Sequence, residues 1–147
     1  MTTELLNIEF IKSIFEAQKK NQYAIARTST KQRKQKLLAL KKAIETTYRQ
    51  DIRDAMMADF RKPQADVDLS EIFPLVAEIN HTVKHLSQWI ADQQVSTPLP
   101  LIGSSSYIKY EPKGVCLIIS PWNFPFNLTF GPLISAVAAG NTAILKP

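Results

Sequence analysis

The sequence holds a single cysteine, Cys116, among 147 residues. No disulfide can close within the chain, which fits a reducing compartment. Long apolar runs are also missing: no stretch of about 20 residues escapes polar interruption, so a membrane span is not expected. Met1 to Glu9 lack the basic-then-apolar order of a secretory signal, and a cytoplasmic protein is the simplest reading. Repeats and low-complexity tracts are absent too. With 45% hydrophobic residues, the chain has the composition of an ordinary folded domain.

The scarcity that organises the chain is one of charge. It carries 18 lysines and arginines against 13 aspartates and glutamates, a net +5. Yet from Gly114 to Pro147 the only charged residue is Lys146. A polar, lysine-rich first part thus adjoins an almost uncharged last part, as a surface layer of helices would adjoin the interior of a fold.

Helical periodicity dominates the first part. Ile11, Ile14, Phe15, Gln18, Gln22 and Ile25 recur at three- and four-residue spacing, with Asn7 as a candidate N-cap. Ser29 and Gln32 form a capping-box pattern ahead of one apolar stripe, Leu37, Leu40, Ile44, Tyr48, Ile52, Met56 and Phe60. That stripe predicts a helix to about Asp59, before Arg61-Lys62-Pro63. A third helical region is expected from Asp66 to about Asp92, with Leu75, Ile79, Val83, Leu86 and Ile90 inward and Pro74 dividing or kinking it.

The pattern changes at Thr97-Pro98-Leu99-Pro100, an extended connector. Ser105 to Tyr110 alternates like a strand, and Glu111-Pro112-Lys113-Gly114 resembles a turn into a second strand, Val115 to Ser120. This second strand is apolar on both faces, as a parallel strand covered by helices requires. Phe126 to Ala139 is apolar almost all round and predicts a buried helix ended by Gly140-Asn141, before a short strand, Thr142 to Leu145. Strand, helix and strand make a βαβ unit, which places the loop Pro121–Pro125 and Lys146 at one C-terminal sheet edge, where open α/β sheets bind ligands. The expected fold is therefore α/β: N-terminal helices over residues 1–96, a hairpin arm over 97–111, and the start of a Rossmann-like parallel sheet over 112–147.

Asn123 stands between Pro121 and Pro125, each of which restricts its own backbone and the residue before it. A side-chain amide held on so stiff a loop suits donation to an oxygen that becomes negative in a transition state; an asparagine that satisfies loop backbone is the plainer account. Lys146 could donate to ribose hydroxyls or phosphate oxygens, or could be a strand-end lysine reaching water. His81 and His85 have the spacing of a helical metal pair, but no third ligand suggests itself, so surface histidines and no metal are expected. Lys31, Arg33, Lys34, Lys36, Lys41 and Lys42 could meet nucleic-acid phosphates; without aromatic interleaving they read as a solvated face, and no nucleic-acid partner is expected. Cys116, inside an apolar strand, reads as a packing residue.

Glu111-Pro112-Lys113-Gly114-Val115, Pro121-Trp122-Asn123-Phe124-Pro125 and Ala138-Ala139-Gly140-Asn141-Thr142 through Leu145-Lys146-Pro147 together resemble the aldehyde dehydrogenase superfamily, and the short lead before the Trp-Asn motif its class-3-like branch. By matching position, the resemblance implies Asn123 as oxyanion donor, Lys146 as partner of the adenosine ribose, Ile119, Pro121 and Trp122 as cofactor-pocket wall, and Phe124 on the substrate route. It further implies NAD or NADP as cofactor, an aldehyde substrate of medium-chain or aromatic type, and a homodimer assembled through the hairpin that carries Tyr107. The reaction implied runs through a cysteine thiolate, a thioester and a glutamate-activated water. The sequence stops at Pro147, ahead of the positions where the family carries its glycine motif, glutamate and nucleophilic cysteine. The expectation is thus an incomplete fold, an N-terminal fragment inactive on its own. The alternative is a noncatalytic, truncated paralogue acting as an interaction protein.

Overall fold

The computed structural model describes residues 8–147. The expected N-cap, Asn7, lies outside them. Helix α1, Ile8–Ala26, turns Ile14, Gln18, Gln22 and Ile25 partly inward and leaves Ile11 and Phe15 exposed. Ser29 then starts α2, Thr30–Lys42, with both halves of the capping box made: the Gln32 N–H donates to Ser29 Oγ at 3.3 Å, and the Ser29 N–H donates to Gln32 Oε1 at 2.8 Å.

The single helix expected from Ser29 to about Asp59 is interrupted. A π-helical turn, Ala43–Thr47, leads to Tyr48 at φ −111°, and α3 follows as Arg49–Phe60. The cause lies in the stripe itself, because a strict four-residue repeat drifts about 40° per step around a helix of 3.6 residues per turn. The wider π turn takes up that drift: Ile44 and Ile52 both stay buried while Tyr48 is turned out to solvent. Arg61, left-handed at φ 53°, ends α3.

Next come α4, Gln64–Val67, a π turn, Asp68–Ile72, and α5, Phe73–Trp89. Pro74 does divide this region, sitting in the first turn of α5. Having no N–H, it cannot serve the Ser70 carbonyl four residues back. Asn127 takes over that duty, its Nδ2 donating to Ser70 O at 3.1 Å.

The hairpin is built differently from the expectation. Its strands are β1, Gln93–Val95, and β2, Ser106–Ile108, antiparallel with Gln94 opposite Tyr107. Residues 106–108 therefore pair upstream and do not turn back against 115–119, and the hairpin spans 93–108, beginning before residue 97. Gln93 and Gln94 carry no apolar alternation, so nothing in their sequence separates β1 from the end of a helix.

Strand β3, Val115–Ile119, pairs in parallel with β4, Thr142–Lys146, and α6, Pro125–Ala139, connects them. Gly140 closes α6 at φ 85°, and the Asn141 N–H reaches Ala136 O at 2.9 Å, a closure that needs a residue without Cβ penalty. Helix α6 covers one face of the pair and packs on α2 and α5, while α1 lies against β4. One core results, in which Leu37, Ile44, Ile52, Met56, Leu75, Ile79, Leu86 and Ile134 are all buried. Across β3, Ile118 is buried towards α6, whereas Leu117 and Ile119 are 62% and 65% exposed, so only one face of the strand is covered here. The architecture is α/β: helices with an antiparallel hairpin and a two-stranded parallel sheet.

Arg33 is no part of a solvated basic face. It is buried, and its guanidinium donates to Ala26 O at 2.8 Å, Thr28 Oγ1 at 3.2 Å and Ala138 O at 3.2 Å. These are the carbonyl-rich ends of α1 and α6, where a cation is favoured by the helix dipole. Burial lowers the Arg33 pKa from its ordinary value. A helix-surface pattern of basic residues hid this one because its neighbours in sequence, Lys31, Gln32 and Lys36, do face outward.

Candidate active site

All six residues singled out in the sequence converge on the C-terminal edge of the parallel pair. Ile119 is the register partner of Lys146, and the chain leaves this edge directly into Pro121, Trp122, Asn123 and Phe124. The edge is closed by backbone, since the Ser120 N–H donates to Lys146 O at 3.0 Å. Below it, the Thr129 hydroxyl bridges Pro125 O at 2.5 Å and Ser120 Oγ at 2.7 Å, which pins both ends of the loop to the first turn of α6.

Proline at both ends leaves the loop few backbone conformations, and Asn123 is exposed upon it. Among the described residues, no hydrogen-bond partner takes up its side-chain amide. The Asn123 side chain is thus not engaged with the loop backbone, and its amide N–H is free for an external acceptor. At the same edge, Ile119 and Lys146 are register partners with Pro121 two residues beyond Ile119, and all three are exposed. An apolar wall next to a cationic donor suits a flat ring carried on a sugar with hydroxyl or phosphate oxygens, so these residues fit a dinucleotide.

The loop is gripped from outside by a group that the sequence did not reveal. The Phe60 ring packs against Trp122 with centroids 5.7 Å apart, and Lys62 Nζ lies 4.6 Å from the centroid of Phe124. Lys62 Nζ also pairs with Glu71 Oε1 at 2.7 Å, and the other oxygen of Glu71 accepts from the Asn127 N–H at 2.8 Å. Glu71 is completely buried. A signal for it did exist: Val67, Glu71, Leu75 and Ile79 follow one another at four-residue spacing, which puts a carboxylate on an apolar stripe.

Other candidates lie elsewhere. The His81 and His85 rings are tilted to each other with centroids 4.3 Å apart, and His85 stacks on Trp89 at 5.8 Å, making an aromatic row along α5. No cluster of three or more His, Cys, Asp or Glu able to hold a metal forms among the described residues. Cys116 is half-buried within β3 opposite Ala143, remote in register from the loop. Of the basic residues on α2, Lys34 donates to Ser87 Oγ at 2.8 Å and Lys41 pairs with Glu45 at 3.7 Å. No helix among the described residues is long and apolar enough to cross a membrane.

Comparison with known proteins bears on the family and the fold. The aldehyde dehydrogenase family profile matches residues 2–147. The chain is 46% identical over 115 residues to 4,4'-diaponeurosporen-aldehyde dehydrogenase of Staphylococcus aureus, covering 78% of this chain and 25% of that protein. It is 41% identical over 99 residues to aldehyde dehydrogenase family 3 member B1 of Bos taurus, covering 67% and 21% respectively. Among solved structures, the substrate-bound AldH of Staphylococcus aureus superposes with a TM-score of 0.87 at 41% identity, over 93% of this chain and 30% of that one. The NADP complex of glyceraldehyde-3-phosphate dehydrogenase GapN from Methanocaldococcus jannaschii gives 0.81 at 19% identity, over 93% and 28%, a likeness of fold alone. The chain thus spans between 21% and 30% of the length of these relatives. With the family profile matching residues 2–147 and relatives that include class 3 enzymes, the chain belongs to the aldehyde dehydrogenase family and makes up the N-terminal part of that fold.

Proposed function

We propose that this chain supplies the oxyanion donor and part of the cofactor edge of an NAD(P)-dependent aldehyde dehydrogenase that oxidises an aldehyde to a carboxylic acid. The observation that carries this reading is the free, exposed amide of Asn123 on a loop held rigid at both ends. A donor fixed before the reaction begins stabilises developing charge without having to reorganise.

On this reading a cysteine thiolate from the remainder of the protein adds to the aldehyde carbon. The carbonyl oxygen becomes negative and accepts from the Asn123 amide. Nicotinamide cofactor, when bound, supplies the acceptor for hydride. Lys146 donates to the adenosine ribose, while Ile119, Pro121 and Trp122 form apolar wall beside it. The resulting thioester is hydrolysed by a water that a glutamate activates, and Phe124 borders the route by which substrate enters. Cys116 has no place in this scheme, since its strand position keeps it away from the loop. Residues 1–147 alone therefore do not complete the reaction.

The same reading takes the protein to be a cytoplasmic homodimer that acts on a medium-chain or aromatic aldehyde, with the hairpin of β1 and β2 contributing to assembly. The test is Asn123→Ala in the complete enzyme. Turnover should fall roughly 100- to 1,000-fold, with the thermal unfolding midpoint unchanged because the amide makes no internal bond. Unchanged turnover would remove Asn123 from the role.

A further inference from the structure

We propose that Lys62 and Glu71 are positioning residues: together with Phe60 they clamp both neighbours of Asn123 and so set the direction of its amide. The proposal rests on the reading of Asn123 as oxyanion donor. Its basis is a juxtaposition at the end of α3. Phe60 packs on Trp122 and Lys62 sits over Phe124, so the residues on either side of Asn123 are each held by the same short segment. That segment is itself tied to α3 by the cap at left-handed Arg61, where the Arg61 N–H donates to Met57 O at 2.9 Å and the Lys62 N–H to Met56 O at 3.4 Å.

Glu71 anchors the arrangement. Its side chain is 0% exposed and that of Lys62 is 17% exposed. The two carboxylate oxygens have separate duties, one binding Lys62 Nζ and the other the Asn127 N–H in the first turn of α6. A buried ion pair is weak support for stability, because apolar residues of similar volume often serve as well or better. What such a pair does provide is direction: the carboxylate ties the end of α3 to the start of α6, and Asn123 lies on the loop that enters α6. A shift of about 1 Å in a group that meets the reacting atoms can cost about 100-fold in rate.

The test uses the complete enzyme with Lys62→Met, Lys62→Arg and Glu71→Gln, each alone and combined with Asn123→Ala. Rates are taken per titrated active-site thiol, alongside the KM for cofactor and the unfolding midpoint. Lys62→Met and Glu71→Gln should lower kcat by up to about 100-fold and leave the cofactor KM little changed. Lys62→Arg, which keeps both the charge and the ring contact, should retain most of the rate. On the Asn123→Ala background the same changes should have little further effect, since the amide they aim is gone. Losses that simply multiply with that of Asn123→Ala, or that vanish once rates are taken per active thiol, would overturn the proposal. If Asn123→Ala lowers kcat while Lys62→Met does not, the clamp alone fails. If Asn123→Ala itself has no effect, the oxyanion reading fails and the clamp with it. Should Glu71→Gln not fold, the two Lys62 variants, at the rim of the pair, decide the matter.

Discussion

Gly140→Ala tests how α6 is joined to β4 and hence how Lys146 is delivered to the sheet edge. Two separate costs can be worked out. At φ 85° an alanine must adopt the left-handed conformation, which disfavours a residue with Cβ by roughly 1–2 kcal/mol. Its Cβ would also lie 2.5 Å from both Cζ and Nη2 of Arg33 and 2.8 Å from Nη1. That guanidinium is not a loose end: it donates to Ala26 O, Thr28 Oγ1 and Ala138 O. Moving it aside weakens at least one hydrogen bond from a charged donor, worth about 1.5–3 kcal/mol. The sum is roughly 2.5–5 kcal/mol, a large share of a typical stability of about 5–15 kcal/mol. Urea denaturation followed by the fluorescence of Trp89 and Trp122 would measure it. Repeating the substitution on an Arg33→Ala background separates the two costs, because the clash is then absent and only the conformational cost of about 1–2 kcal/mol should remain. An equal cost on both backgrounds would refute the clash, and a total under about 1 kcal/mol would refute the whole argument.

Three further outcomes follow from the same geometry. Ser29→Ala removes the capping box of α2 and should cost about 1 kcal/mol in urea denaturation. Asn127→Leu removes the Nδ2 donor to the part-buried Ser70 carbonyl, at a cost of about 1–3 kcal/mol; Pro74→Ala on that background restores an N–H four residues on and should recover part of the loss. Asp68 is held well below the usual carboxylate range by hydrogen bonds from Arg53 and then Arg49, assisted by their charges. Its folded pKa is depressed, so in mild acid the unfolded chain binds more protons, and the stabilisation present above the ordinary carboxylate range is lost as pH falls toward the folded value. The advantage of the wild type over Asp68→Asn in unfolding midpoint should therefore be full near neutrality and shrink below about pH 4; a pH-independent difference would show that charge plays no part.

Much of the fold could be read from local pattern. The box at Ser29 and Gln32, the division at Pro74 and the helix end at Gly140 each have a signal within a few residues and are found where it placed them, and the strands expected at 115–120 and 142–145 pair in parallel as 115–119 and 142–146. The strands of the hairpin were harder. Gln93–Val95 is short, polar and exposed, so its pairing with Ser106–Ile108 leaves no alternation to detect. The break at Tyr48 was hidden for the opposite reason, since a perfect four-residue stripe looks like one helix until its accumulated drift is counted.

The candidate site divides along the same line. Sequence by itself determined which residues reach the sheet edge, because two strands of known direction and a proline-bounded loop leave Ile119, Pro121, Trp122, Asn123, Phe124 and Lys146 nowhere else to go. It also determined the family, through motifs contiguous in the chain. Tertiary structure alone decided what surrounds them. Glu71 is 56 residues from Asn127 in sequence and Arg33 is 105 from Ala138, yet each pair is hydrogen-bonded. Such contacts depend on how helices pack, and packing is selected by the fit of whole surfaces, which no window of a few residues contains.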